Sequence, residues 1–474
     1  MPNTIAYLAL LGWPVVCLFL FLRLPFERAI VWSILGGYLL LPERTAFDAP
    51  LVPPLDKDVI PALAVFLICL FWMGRRVSLW PVSPTGRVLM ALFVFGVIPT
   101  VLTNGETLVF DDTVLPALSG HDLLSVVVNQ FLFLLPFLIA RQHLASETGL
   151  RELLLGLAVG GLVYSLPALF EVRMSPQLHT WVYGFFQHRF DQMMRGDGFR
   201  PIVFLPHALW LAMFFVAALL ASATMLRRTD GVERVRWLAA TLYLAGVLVL
   251  SKSLASQLYA LAFTPFLLFS GSRTQIRVAL LLAVVATCYP VLRNAGLVPV
   301  DMILEKARAI DPTRASSLGF RLNNENLLLD RAWEKPLFGW GTFGRNLVYD
   351  PETGRLLTIP DGRWIIVFGT FGWVGYIAEM GLLALPVLLA ARAGRVAGQR
   401  VALHWIAPAV LILTVNMIDM LLNATLVPFT WMLAGAVLGS CERARAARRN
   451  KRRGLRTGRT PVIGRKPKTE RPIL

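Results

Sequence analysis

Apolar runs about the length of a bilayer crossing recur from one end of this 474-residue chain to the other, and no other feature limits its fold as severely. A hydrocarbon core of about 30 Å needs roughly 20 apolar helical residues. Candidate spans lie near residues 3–22, 26–42, 59–73, 88–102, 123–140, 151–170, 201–225, 237–250, 254–270, 277–292, 364–391, 401–418 and 424–440. In lipid the backbone must satisfy its own polar groups, and runs this long do so as helices, not as barrel strands. The expected fold class is therefore all-α: a polytopic integral membrane protein with about 12–13 transmembrane helices. Its charged fraction of 16% is well below the roughly 25% of soluble domains. The first run has no basic region before it and no small-residue cleavage site, so it reads as a retained span.

The formal charge of +17 suggests nucleic acid until it is located. Residues 442–474 hold 13 Lys or Arg against two Glu, which is 11 of those 17 charges. A basic segment directly after a membrane span reads as a cytoplasmic anchor for anionic lipid. Its Arg, Lys, Gly and Pro content predicts disorder, and no aromatic residue interleaves the charges as nucleic-acid binding would require. Residues 1–441 are expected to form the membrane domain and 442–474 the tail. Cys17, Cys69, Cys288 and Cys441 form no CxxC pair and read as small apolar side chains.

Loop charges predict the orientation. Walking back from the tail, alternate loops carry Arg392, Arg395 and Arg400, then Arg273 and Arg277, then Arg227, Arg228, Arg234 and Arg236, then Arg141 and Arg151, then Arg75, Arg76 and Arg87. This alternation places the tail inside and the N-terminus outside. The outer loop at 103–122 has four acidic residues and no Lys or Arg. Two outer segments break the rule. Residues 171–200 carry Arg173, Arg189, Arg195 and Arg200, and the long loop from Arg293 to Arg363 holds ten basic and nine acidic residues. Arginines on the disfavoured face point to an anionic ligand there.

Within the long loop, Phe320, Leu327, Leu328 and Trp333 can form the apolar stripe of an amphipathic helix lying on the membrane surface, with a Gly-rich turn at Gly339, Gly341 and Gly344 after Pro336. Arg200 would open a span with His207 two turns deeper on the same face. Lys252 sits in a tight outer turn, "SKSLAS". Arg314, Arg321 and Arg331 follow in the long loop, and "PDGRW" sets Asp361 and Arg363 at the mouth of the next span. No nucleotide-binding, zinc-protease or hydrolase motif occurs. The six histidines show no metal-ligand spacing, so neither metal nor cofactor is expected.

These features resemble the O-antigen ligase and polymerase superfamily of bacterial membrane glycosyltransferases. The resemblance covers roughly residues 195–390. It rests on an Arg-bearing span entry ("GDGFRPIVFLPHALWLA", with Arg200) and an outer turn with Lys252 where the family usually has Arg ("LSKSLASQLYAL"). It also rests on Arg331 and Trp333 before "PLFGWGTFG", and on a polar pair leading to Glu379 and Gly381 in "YIAEMGLLALP". Ligases of this family carry a His-Asn pair near the end of the long loop, whose His activates the acceptor hydroxyl. This chain has "TIPDGRWIIVFGTFGW" there, with Asp361 in the approximate place, which favours the polymerase-like branch.

The resemblance implies an inner-membrane glycosyltransferase of polysaccharide synthesis, with the long loop periplasmic and the tail cytoplasmic. Its donor would be a polyprenyl-pyrophosphate-linked glycan and its acceptor a glycan or lipid-linked sugar, with membrane lipids and other polysaccharide-assembly proteins as partners and no nucleic acid. Asp361, Arg200 and Arg321 are the expected catalytic residues. Lys252, Arg195, His207, Arg314, Glu325, Arg331 and Arg363 are the expected substrate-binding ones, with Glu325 a second candidate for general base. The alternatives are an O-antigen ligase proper and a transporter or flippase that binds the same lipid-linked cargo without chemistry.

Overall fold

A computed structural model describes residues 1–48, 53–196, 198–394 and 403–456. Each of the thirteen apolar runs carries a helix. In chain order the helices are α1 (Thr4–Arg23), α2 (Phe26–Leu40), α3 (Ile60–Leu67, continued by a π-helical turn to Trp72), α4 (Pro84–Phe95), α5 (Val97–Leu102), α6 (Gly120–Phe133), α7 (Leu135–His143), α8 (Glu147–Met174), α9 (Leu178–Tyr183), α10 (Ala208–Arg228), α11 (Gly231–Leu250), α12 (Leu254–Phe269), α13 (Ser272–Asn294), α14 (Val300–Ile310), α15 (Pro312–Glu334), α16 (Arg363–Gly394), α17 (Leu403–Asp419) and α18 (Pro428–Arg456). Strands β1 (Leu108–Phe110) and β2 (Thr113–Leu115) form one small hairpin.

Among the described residues, seven segments are long and apolar enough to cross a membrane: Thr4–Arg23, Pro84–Leu102, Gly120–His143, Glu147–Met174, Ala208–Arg228, Ser272–Asn294 and Arg363–Ala393. Shorter apolar helices accompany them at Ile60–Trp72, Leu254–Phe269 and Leu403–Asp419. The chain is an all-α, multi-pass membrane protein.

The helices run up and down between two ends. At one, here the tail end, Arg28 pairs with Glu152 at 2.8 Å, Arg141 with Glu442 at 3.1 Å and His404 with Glu147 at 2.8 Å. At the other, the loop end, Asn3 donates to the Val182 carbonyl, Tyr183 to Leu40, Lys57 to Phe204 and Lys252 to Arg195. Helix α10 occupies the centre, and 89% of its apolar window is buried. It is apolar all round, as a helix enclosed by other helices should be.

Four local features differ from the sequence reading. First, the span expected from residue 201 begins only at Ala208. Arg200 to His207 is irregular chain, so Arg200 and His207 do not share a helix face. Second, α15 does not present the expected stripe to one side. Leu322, Leu328, Leu329 and Ala332 are buried, while Phe320 and Leu327 remain 55% and 47% exposed. The buried face packs on protein, chiefly α14 and α16.

Third, α16 breaks at Gly372, whose φ of 61° and ψ of −162° lie outside any helix. The break frees backbone groups on both sides. Trp373 and Val374 donate to the carbonyls of Pro336 and Leu337, and the carbonyls of Gly369 and Thr370 accept from Trp340 and Gly341. The "PLFGWG" stretch thus satisfies the broken span. Fourth, α18 continues past the expected domain boundary to Arg456. Glu442, the first residue of the expected tail, is buried, pairs with Arg141 and accepts the N–H groups of Val82 and Ser83. The remaining tail residues, 457–474, lie outside the described residues.

Candidate functional site

The irregular segment before α10 is the foundation of the site. Backbone that makes no regular hydrogen bonds inside a helix bundle must be satisfied by side chains. The buried Glu171 carboxylate accepts the N–H groups of Ile202 at 2.8 Å and Val203 at 2.7 Å from one oxygen, and that of Leu178 at 3.1 Å from the other. Tyr164 Oη accepts from Phe204 N–H at 3.1 Å. Gln187 Nε2 donates to the Val203 and Leu205 carbonyls, and Lys57 Nζ donates to the Phe204 carbonyl at 2.8 Å. The four residues Ile202 to Leu205 are thereby held in one conformation, with Arg200 before them and His207 after them.

His207 caps α10. Its Nδ1 accepts the Leu209 N–H at 3.0 Å, so the neutral ring carries its proton on Nε2. The His188 ring lies 4.6 Å away, and its Nδ1 accepts the Arg189 N–H at 2.7 Å. Both imidazoles are therefore fixed as Nε2–H donors. Burial, opposed by the bond from Arg189 and reinforced by Arg44, lowers the His188 pKa, which keeps that ring neutral at ordinary pH.

On the facing wall, Arg321 of α15 donates from Nη1 to the Leu422 carbonyl at 3.1 Å and to Asn423 Oδ1 at 2.8 Å. Its Nε lies 3.6 Å from Asp361 Oδ2. Asn423 is itself oriented by Asp419, to whose Oδ1 it donates at 2.9 Å. Burial raises the Asp361 pKa, and Arg321 opposes that rise.

Between these walls lies a cavity of about 870 Å³ at the loop end, within the range of about 300–1,000 Å³ usual for ligand sites. It is lined by five arginines (Arg44, Arg189, Arg195, Arg200 and Arg321), by His188 and His207, and by Asp361 as its acidic side chain. Leu209, Trp210 and Phe320 supply apolar wall. The first turn of α10 opens here, and the dipole of a helix N-terminus also favours an anion.

Of the residues singled out in the sequence, Asp361, Arg200, Arg321, Arg195 and His207 meet around this cavity. Lys252 stands behind its wall: Nζ donates to the Arg195 carbonyl at 2.9 Å and so steadies the Arg195–Arg200 segment. Three others are engaged elsewhere. Glu325 is buried against Trp364, Tyr289 and Arg293, and burial above all raises its pKa to about 7. Arg331 stacks on the Trp340 ring at 3.3 Å from its centroid and pairs with Glu334 at 2.6 Å. Arg363 forms a two-pronged pair with Glu379 at 2.8 and 2.6 Å. The Arg314 side chain lies outside the described residues.

Arg44, His188, Arg189 and Asn423 also line the cavity, without having been singled out as site residues. Arg44 carried a signal, since it too lies on the face where the orientation rule disfavours arginine. Its loop has more acidic than basic residues, and the net count hid it. Among the described residues no cluster of His, Cys, Asp or Glu could hold a metal ion. Neither the protein-family models nor the curated protein sequences contain a match to the chain.

Proposed function

We propose that this protein is a bacterial inner-membrane glycosyltransferase that polymerises or transfers glycan carried on a polyprenyl pyrophosphate. The observation that carries this reading is the convergence of five arginines, two Nε2–H imidazoles and one carboxylate on a single cavity at the end of an apolar bundle. Arginine forks match phosphate oxygens, and their attraction strengthens where water is excluded.

The acceptor hydroxyl oxygen bonds to the anomeric carbon of the donor sugar while the bond from that carbon to the pyrophosphate oxygen breaks. The hydroxyl proton passes to the Asp361 carboxylate, and the bonding pair leaves with the polyprenyl pyrophosphate. Arg200 and Arg321, joined by Arg44 and Arg195, stabilise the charge that grows on the leaving phosphate. His188 and His207 donate from Nε2 to phosphate or sugar oxygens. Twelve or thirteen crossings, with the cavity on the periplasmic side and the basic tail in the cytoplasm, fit the alternation of loop charges.

A flippase of the same cargo is the competing reading, and the broken α16 is the feature that would favour it. The freed backbone groups at Gly372 are already bonded to the "PLFGWG" loop, which leaves them unavailable to coordinate a coupling ion. The test is purified protein in liposomes with polyprenyl-pyrophosphate oligosaccharide. Longer glycans together with released polyprenyl pyrophosphate support the proposal. Movement of the lipid between leaflets without new glycosidic bonds would overturn it.

A further inference from the structure

A second cavity, of about 660 Å³, lies at the opposite, tail end between α8, α10 and α11, with Trp405 of α17 at its rim. Its mouth carries both signs of charge. Arg151, Arg228 and Arg236 stand beside Asp230 and Glu233. Asp230 precedes α11 without spending its carboxylate on a capping hydrogen bond. Below the mouth the lining turns apolar. Leu155 and Leu162, seven residues apart and so on one face of α8, oppose Met225 and Ala240.

The outer flank of this groove is apolar and exposed. Val235, Leu238 and Leu242 of α11 are 65%, 45% and 65% exposed. Trp237 and Trp405 sit where the polar mouth meets the apolar floor, the level at which indoles favour a membrane interface. A groove with a charged mouth and an apolar floor, open to lipid along one side, has the shape and polarity of a phospholipid site. Three cations and two carboxylates in one mouth match a head group that carries both a phosphate and a hydrogen-bonding ammonium.

We infer that this groove binds one phosphatidylethanolamine. Arg151, Arg228 and Arg236 take the phosphate, Asp230 and Glu233 accept from the ammonium, and an acyl chain lies along Leu155 and Leu162. A phosphatidylglycerol head group would satisfy the arginines with its phosphate but offer the carboxylates only neutral hydroxyls, without the ammonium charge. A phosphatidylcholine head group presents the same phosphate, but its trimethylated nitrogen has no N–H to donate to the carboxylates.

The experiment is lipid retention by full-length protein, stripped in detergent and exposed in turn to phosphatidylethanolamine, phosphatidylglycerol and phosphatidylcholine, read by native mass spectrometry with melting temperature in parallel. Retention of one phosphatidylethanolamine about tenfold tighter than phosphatidylcholine is expected, one lost charge-assisted bond being worth about that factor. The Asp230→Asn/Glu233→Gln double variant should lose this preference yet keep phosphatidylglycerol. Arg228→Ala/Arg236→Ala should lose both lipids. Equal retention of the three lipids, stronger retention of phosphatidylglycerol, or an unchanged preference in the carboxylate variant would each overturn the assignment. The readout involves no glycan, so it stands or falls apart from the proposed reaction.

Discussion

Glu171 accepts the backbone N–H of Val203 at 2.7 Å, and Val203 has a φ of 54°, a left-handed conformation that β-branched residues seldom adopt. The carboxylate on α8 thus holds a strained backbone in the segment that follows Arg200. Strain of this kind persists only where surrounding structure over-determines it, and such places are often functional. Glu171→Gln replaces one acceptor oxygen with an NH₂ group that cannot accept the same N–H bonds. The expected cost is about 1.5–3 kcal/mol, seen as a lower melting temperature in detergent. Glycan synthesis should fall further than the loss of folded protein explains, because Arg200 is no longer held in place.

The arginines separate into two groups with different expected phenotypes. Arg200→Ala and Arg321→Ala should lower glycan synthesis per folded molecule by roughly 10²–10³-fold, the usual effect of removing a group that stabilises developing charge. Arg44→Ala should share that loss. Arg363→Ala should instead reduce the amount of folded protein. It strands the Glu379 carboxylate, 2% exposed, at a cost of about 3–5 kcal/mol. Activity normalised to the monodisperse peak on size exclusion distinguishes the two groups.

The base role proposed for Asp361 requires the ionised carboxylate, and burial raises its pKa. Activity should therefore rise with pH through a limb placed above the ordinary carboxylate range. Arg321 opposes the shift, so Arg321→Ala should move that limb to still higher pH as well as lower the maximum. Asp361→Asn should abolish the limb. A pH–rate profile of the wild type and the two variants checks all three statements.

Glu325 allows a test by stability alone. Its folded-state pKa of about 7 lies above the unfolded value, with burial as the largest cause. The folded state then holds a proton that the unfolded chain has released, so stability from this group is full below the unfolded pKa and is lost as pH rises through about 7. Glu325→Gln should leave the melting temperature little changed near pH 5. By pH 8 it should relieve a penalty on the order of 3 kcal/mol. A melting curve for the variant that runs parallel to wild type across this range would rule the account out.

The helices were legible in the sequence because the bilayer imposes one length on them all, and each apolar run found its helix. The start of α10 was not, although the signal was there. Pro201 and Pro206 both disfavour helix in the residue before them, and an apolar run with two such prolines is a poor span entry. What no local pattern could give is the partner that makes irregular chain tolerable. Glu171 lies about 30 residues away on α8, and Lys57 more than 140 away. The same limit explains the candidate residues that lie elsewhere. Arg331 and Arg363 share the outer-face location and charge that selected Arg200 and Arg321, and Glu325 is a carboxylate like Asp361. Only the partners Trp340, Glu379 and Trp364, brought near by folding, show that these side chains are engaged away from the cavity of Arg200 and Arg321.

The joint between the "PLFGWG" loop and the broken span gives a graded prediction. Gly372 has backbone angles that only glycine adopts readily, and a Cβ there would strike the Leu337 carbonyl and come 2.6 Å from Phe338 N. Neither obstacle can yield without moving the loop that satisfies the span. Gly341 also has a left-handed φ, of 81°, but its added Cβ would meet the Leu118 side chain at 2.5 Å, and a side-chain tip can turn aside. Gly246, inside the C-terminal part of α11, has open space around the position of a Cβ, and alanine there removes the backbone entropy cost of glycine in a helix. Melting temperature in detergent should fall most for Gly372→Ala, by several degrees less for Gly341→Ala, and stay level or rise slightly for Gly246→Ala. If Gly372→Ala and Gly246→Ala melted together, the loop would not be what holds the two halves of α16.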